Sequence, residues 1–467
     1  MIRSAIQMLL MASTLTLTCH RTWARGAPPV QASPFFHAEK LDGRWWLIDP
    51  DGHRFISKGV TTVQFAQDTI QGTTRSPSGD GNRVKYGTVD AWRLAVGQRL
   101  VGWGFNTLGA WSDDDVAAVT ATNQHLAFAP IVDLGATYVA QKQKGQAWQR
   151  GLFPDVFDSE FETIARERAR QVCLPRSGDL WLLGWFTDNE LRWGPDWRGS
   201  NELLTVFLNL PATVPGKKAA VDLMRERYGG NVTNFNAVWK TTFPSWNELL
   251  RATSILPPIV RAATYRQNQE AERQANEADP KRAAFVADCE AFIAKLADRY
   301  FRITAEAVKL ADPNHMNFGC RFAYFPPEPV VAAAAKYVDV ISFNCYRADP
   351  QDTLKRYAAF GKPMIIGEFS FRAEDSGLPN SRGAGPKVKT QVERAAAYRT
   401  YVTQALQNPN LVGYHWFEHC DEPKEGRFDG ENSNYGVVNI QDEIYTELTR
   451  AMTEVNAQAE TLHSGSR

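Results

Sequence analysis

Leu182-Leu183-Gly184-Trp185-Phe186-Thr187-Asp188-Asn189-Glu190 is an apolar run that stops on a carboxylate, and Pro363-Met364-Ile365-Ile366-Gly367-Glu368-Phe369 is a second of the same kind. Runs of this length, bounded by Gly or Pro, read as strands buried on both faces of a parallel sheet. An acid at the C-terminal end of such a strand stands where a barrel keeps its chemistry. Outward from these two, six further strand-like runs appear: Gly59 to Val63, Asn106 to Trp111, Leu126 to Leu134, Met316 to Phe322, Val338 to Tyr346 and Leu411 to Phe417. Helical patterns fall between them, among them Ala91 to Val101, Asp158 to Val172, Pro327 to Lys336, Thr353 to Phe360 and Val392 to Gln407. Eight alternating units predict an α/β fold, a (β/α)8 TIM barrel.

Two additions to that plan are legible. An N-terminal β-hairpin is expected over Gly43 to Ser57, with Pro50-Asp51-Gly52 as its turn. A long helical insertion, about residues 200–310, separates strands 4 and 5. Within it Ala220 to Tyr228 is helical, and Ala284 to Leu310 puts Phe285, Cys289, Phe292, Leu296 and Val308 on one apolar face. The polar stretch Tyr265 to Arg282 reads as a solvated helix or lid.

The chain has 467 residues, 43% of them hydrophobic, which is ample for one barrel with insertions. Its 52 basic and 52 acidic residues cancel. Nucleic acid and anionic membrane are therefore not expected partners, since neither finds a basic excess to neutralise its phosphates. Residues 1–24 read as a signal peptide: Arg3, an apolar stretch from Met8 to Thr18, and Thr22-Trp23-Ala24 at the cleavage site. A secreted or periplasmic protein is expected, with residues 25–467 as a single catalytic domain. Cys19 offers a lipoprotein alternative, but Thr16-Leu17-Thr18 is a poor acylation box. The other five cysteines lack the spacing of a disulfide framework and read as buried thiols.

Two carboxyls facing each other across a substrate suit one reaction well. Glycosidic hydrolysis needs an acid to protonate the departing oxygen and a carboxylate to meet the oxocarbenium-like carbon. At this point the sequence resembles the clan A glycoside hydrolases, and within them the agarase and β-galactosidase-like group. The stretch Trp185 to Gly194 carries the likeness at the fourth strand, and Ile366-Gly367-Glu368-Phe369-Ser370 at the seventh. It extends through Arg227-Tyr228-Gly229-Gly230, Asn236, Trp239 and Trp246, through Asp312-Pro313-Asn314-His315, and through His415-Trp416-Phe417 to Gly436.

The resemblance implies a retaining hydrolase of β-glycosidic bonds in a galactose-containing poly- or oligosaccharide, acting by double displacement. Glu190 would be the acid/base and Glu368 the nucleophile, with Asn189 bonding the sugar hydroxyl beside the anomeric carbon. Tyr346 would orient Glu368, and Trp416 would form a platform under the sugar unless it is ordinary core. Arg321 would bind substrate or pair with a structural acid, and His415 would touch sugar or pack. Asp421 and Asn432 are further candidates for substrate binding. The alternatives are a β-galactosidase or other β-glycosidase of the clan, and a barrel that binds glycans without cleaving them. His415, His419, Cys420 and Asp421 lack a second pair of ligands, so no metal is expected. No phosphate loop, dinucleotide fingerprint or nucleophile elbow occurs, so no cofactor is expected.

Overall fold

The computed structural model describes residues 33–118, 125–261, 269–323 and 325–465. The expected signal segment with Cys19 lies outside the described residues, as does part of the Tyr265 to Arg282 stretch.

An antiparallel sheet comes first: β1 His37–Leu41, β2 Arg44–Ile48 and β3 Arg54–Phe55. Its first turn, Asp42-Gly43, has positive φ at both residues, the conformation that lets a two-residue turn follow the strand twist. The sequence showed β2 and β3 but not β1, whose half-exposed His37-Ala38-Glu39-Lys40 carries little apolar signal.

The parallel strands follow as β4 Ser57–Val60, β5 Thr107–Leu108, β6 Ala127–Phe128, β7 Gly184–Asn189, β8 Met316–Arg321, β9 Ile341–Asn344 and β10 Met364–Phe369. After the short pair β11 Arg372–Ala373 and β12 Lys387–Val388 comes β13 Leu411–Trp416. Six strands form a parallel sheet in the order β6-β5-β4-β13-β10-β9, and β7 and β8 pair in parallel separately. Single parallel bridges, Phe128 with Leu182, Ile131 with Phe186, and Phe322 with Phe343, link the β7–β8 pair to both outer edges of the larger sheet. The fold is α/β with a mostly parallel sheet.

Two expected strands are shorter than their apolar runs. Past Leu108 the chain turns at Trp111, where φ is 62°. Past Phe128 it meets Pro130, which has no N–H to pair. Leu134, expected as the end of a strand, instead opens the helix Leu134–Lys142.

Phe36 and Leu47 pack with Leu183, Phe318, Val340, Ile365 and Val412, residues that line the strands near their N-terminal ends. The antiparallel sheet thus covers that end, and the C-terminal ends remain for chemistry. Burying each such side chain contributes about 1.5–3 kcal/mol.

The insertion is helical as expected, and its longest helix is Pro280–Ala311. Phe285, Cys289, Phe292, Leu296 and Val308 are all buried on it. Buried Asp288 accepts from Arg227 Nε at 2.7 Å, Tyr228 Oη at 2.6 Å and Trp239 Nε1 at 2.9 Å. The Arg-Tyr-Gly-Gly and Trp239 motifs are therefore architectural, tying the helices Pro215–Arg227 and Val232–Trp239 to the long one. Asp312 does the same at its C-terminal end, accepting from Trp185 Nε1 at 2.7 Å and contacting His315 Nδ1 at 2.7 Å. Asp288→Ala would strand the buried Trp239 indole N–H and leave the more exposed Arg227 and Tyr228 without their partner, and should cost about 1–3 kcal/mol. A shift of the urea midpoint reads this, and an unmoved midpoint would deny the aspartate its clamping role.

The helix Gln269–Ala278 is a solvated one, laced by Arg273 ion pairs to Glu270 and Glu277. Cys173, Cys289, Cys320, Cys345 and Cys420 are buried free thiols. Among the described residues no helix is long and apolar enough to cross a membrane.

Candidate active site

Glu190 follows the last residue of β7 with φ at 47°, a left-handed turn that costs a non-glycine residue about 1–3 kcal/mol. The turn is held from both sides. Its N–H donates to the Arg321 carbonyl at 2.9 Å, and its own carbonyl accepts from Arg198 Nη1 at 2.8 Å. Two residues earlier, buried Asp188 accepts from the N–H groups of Gly135 and Ala136 at 2.8 and 2.9 Å. It caps the helix Leu134–Lys142 in place of Asp133, whose side chain does not. Burial raises the Asp188 carboxyl to about 7, with Asp133 adding to the shift.

Glu190 is 8% exposed, and its carboxyl is gripped at both oxygens. Trp148 Nε1 donates to Oε2 at 2.8 Å and Asn344 Nδ2 to Oε1 at 2.9 Å. Asn344 also donates to Asn189 Oδ1 at 3.3 Å, so the half-buried Asn189 stands beside the acid.

Glu368 lies in β10 opposite Asn344 of β9, at a register shift in both of its pairings. Arg321, at the end of β8, forms a 2.7 Å ion pair with its Oε1, and Tyr346 Oη donates to Oε2 at 2.6 Å. Arg321 is fully buried, its guanidinium 4.3 Å from the Trp111 ring centroid, and it donates to the Gly367 carbonyl at 3.3 Å. Gly367 makes that path possible: a Cβ there would sit 2.8 Å from Arg321 Cδ and 3.1 Å from Asn344 Oδ1. Burial pushes the Glu368 carboxyl up to about 7; Arg321 opposes the shift and the nearby charge of Glu190 adds to it. Asn344 thus joins the two acids, bonding one and pairing in register with the other. Tyr346 feels the charge of both.

The structure brings together Glu190, Glu368, Asn189, Tyr346 and Arg321 from the expected set. Arg321 pairs with an acid, but that acid is Glu368 itself and not a structural carboxylate, so neither expected alternative describes it. Trp416 and His415 take their packing alternatives, and the expectations for Asp421 and Asn432 need correction, because all four side chains are already committed. Trp416 is fully buried, donates its indole N–H to the Tyr435 carbonyl at 2.9 Å, and packs against Phe369, Tyr398 and Arg394. It is core rather than platform. His415 lies among the strands, 2.8 Å from Ser57 Oγ and in the space left by Gly59. Burial, then Arg321, lowers its imidazole to about 3, so it is neutral. Asp421 spends its oxygens on Asn434, the Gly436 N–H and Tyr445. Asn432 ties its loop to Ser381 and the Arg382 N–H.

Sequence reasoning missed Trp148, Asn344 and Phe417. Asn344 sits inside the strand-like run Val338 to Tyr346, where a buried amide was itself a signal. Phe417 places its ring 6.2 Å from that of Tyr346, nearer the acids' supports than Trp416. Trp148 carried no local signal.

Two buried glutamates at parallel strand ends, one paired with arginine and tyrosine and the other with amide and indole donors, are the kind of arrangement that paired-carboxylate glycosidic hydrolysis uses. β-Agarase A of Vibrio sp. (strain JT0107) is 33% identical over 490 residues, covering 91% of this chain and 46% of that protein. The solved structure of PfGH50B superposes with a TM-score of 0.76 at 27% identity, over 94% of this chain and 68% of that one. A structure described as an exo-β-agarase gives 0.76 at 26%, over 94% and 67%. No family model matches the chain. By sequence and by fold the chain is agarase-like, and it spans about half the length of the curated relative it matches.

Proposed function

We propose that this protein is a retaining glycoside hydrolase of clan A that cleaves β-glycosidic bonds in a galactose-containing poly- or oligosaccharide, agarose-like first. The likeness to β-agarase A supports the substrate class. The observation that carries the reading is the unequal dressing of the two acids: Glu368 has a cation and a phenol, Glu190 only neutral N–H donors. A paired guanidinium favours the carboxylate that must attack.

In this reading the eight strands β4 to β10 and β13 close as a (β/α)8 barrel. The single bridges at Leu182, Phe186 and Phe322 support that closure. Residues 25–467 act as one catalytic domain, and the segment 1–24 exports it to the periplasm or medium.

A Glu368 carboxylate oxygen bonds to the anomeric carbon while the glycosidic C–O bond breaks, and the leaving oxygen takes a proton from Glu190. Water then gives a proton to the Glu190 carboxylate and bonds to the same carbon. The Glu368–carbon bond breaks and both acids return to their first state. Two inversions leave the configuration retained. Asn189 would hold the neighbouring sugar hydroxyl, and Arg321 and Tyr346 would take up the charge on Glu368 as it is released.

Incubation with agarose, agaro-oligosaccharides and aryl β-galactosides, followed by NMR of the first product, tests the proposal. New reducing ends of β configuration are expected. Binding without new reducing ends would favour a non-catalytic glycan-binding barrel. Product of α configuration would exclude double displacement.

A further inference from the structure

We propose that Trp148, Phe428 and Glu431 form the subsite for the leaving sugar, and that it takes a neutral pyranose. The inference rests on Glu190 as the acid/base, because the group that protonates the departing oxygen must lie beside the departing ring.

Trp148 touches that acid directly, through its 2.8 Å hydrogen bond to Oε2, and its ring is only half-buried. Phe428 comes from the far side, on the loop after β13. Its ring centroid is 6.5 Å from that of Trp148, with the planes at 59°. It is 51% exposed, an unusual state for a phenylalanine on a braced loop. The brace is Arg427, which lies between Phe417 and Phe428 at 5.6 and 5.2 Å from their ring centroids. Its guanidinium is paired with Glu422, Asp429 and Glu431 at 3.1, 3.0 and 2.9 Å. Phe428 is thus held out at the site by a buried ion network.

Two aromatic faces at an angle, next to the acid, suit the C–H face of a pyranose, since binding sites combine apolar faces with a few placed polar groups. Glu431 supplies the polar group. It keeps 23% of its side chain exposed, and its carboxyl feels the charge of Glu190. A carboxylate accepts hydrogen bonds from sugar hydroxyls and repels sulfate esters, so the subsite selects neutral rings.

Aryl β-galactosides carry no sugar on the leaving side, which gives the test. Phe428→Ala and Glu431→Gln should each lower kcat/KM on agaro-oligosaccharides by about tenfold or more, the scale of one lost pocket contact. On the aryl substrate the loss should stay several-fold smaller. With the aryl substrate as donor, transfer of the glycosyl group to an added acceptor sugar should fall several-fold relative to hydrolysis, because the acceptor, unlike water, enters through the same subsite. A purely structural role would lower hydrolysis and transfer alike and leave their ratio fixed. Equal losses on both substrates, or none on either, would overturn the proposal. A wild-type protein that cleaves neither substrate would instead sink the glycosidase reading, and the subsite with it.

Discussion

Glu368→Ala should lose nearly all turnover, roughly on the 10⁶-fold scale seen when a hydrolase loses its covalent nucleophile. The side chain supplies the only bond that can hold the sugar between the two steps, and no neighbour stands ready to replace it. Arg321 and Tyr346 flank it, but a guanidinium and a phenol both donate where an electron pair is needed. Lost activity alone is ambiguous, because the alanine also leaves Arg321 buried without its partner, and breaking a buried pair costs about 3–5 kcal/mol. Two measurements separate the effects. Glu368→Gln keeps the shape and a hydrogen-bond acceptor, so it should fold with little loss and stay inactive. Azide added to the alanine variant should restore turnover of an activated aryl galactoside and yield the α-glycosyl azide, the product of a single inversion. Rescue with retained configuration would assign the nucleophile elsewhere.

Removing the other acid should give a different pattern. Glu190→Ala should slow substrates with poor leaving groups by about 10²- to 10⁴-fold, the usual worth of a positioned general acid. Activated aryl glycosides need little protonation and should still form the glycosyl-enzyme, so their loss should fall mainly on the second step, where water must be deprotonated. Equal slowing of glycosyl-enzyme formation on good and poor leaving groups would speak against the role.

The pH profile carries a linked signature. Glu368 is held near 7, above the ordinary carboxyl value, by burial and by the charge of Glu190, against the pull of Arg321. Attack needs the carboxylate, so kcat/KM should fall as pH drops through about 7. Glu190→Gln removes one of the raising charges and should move that acidic limb to lower pH. The limb belongs to the coupled pair, so its displacement on mutation is the informative quantity. An unmoved limb would mean that the two acids do not sense each other.

Most of the positions that matter were legible because they obey local rules. The runs Leu182 to Phe186 and Pro363 to Gly367, which lead to Glu190 and Glu368, are apolar without interruption, as strands covered on both faces tend to be. The face of the helix Pro280–Ala311 follows the 3.6-residue period, and each of its five expected core residues is buried. Tyr346 as the partner of Glu368 was readable because it follows the neighbouring strand β9 at the same end. Trp148 was not readable: it sits on a four-residue helix in a long connection, and only the path of that loop brings its indole to Glu190.

The sequence by itself determined which buried runs form the parallel strands and which of those runs end on acids, because continuous apolar character is a local property of the chain; strand lengths, as at β5 and β6, were set by the turns that follow. The tertiary structure alone decided which side chains face the acids. Trp416 and Phe417 show the reason. Adjacent residues on a strand point to opposite faces, and a strand that is apolar on both faces does not reveal which parity points inward. Packing around β13 resolved it, sending Trp416 to the helix layer beside Tyr398 and leaving Phe417 against Tyr346. Arg321 likewise reaches Glu368 only because Gly367, on another strand, leaves it the room.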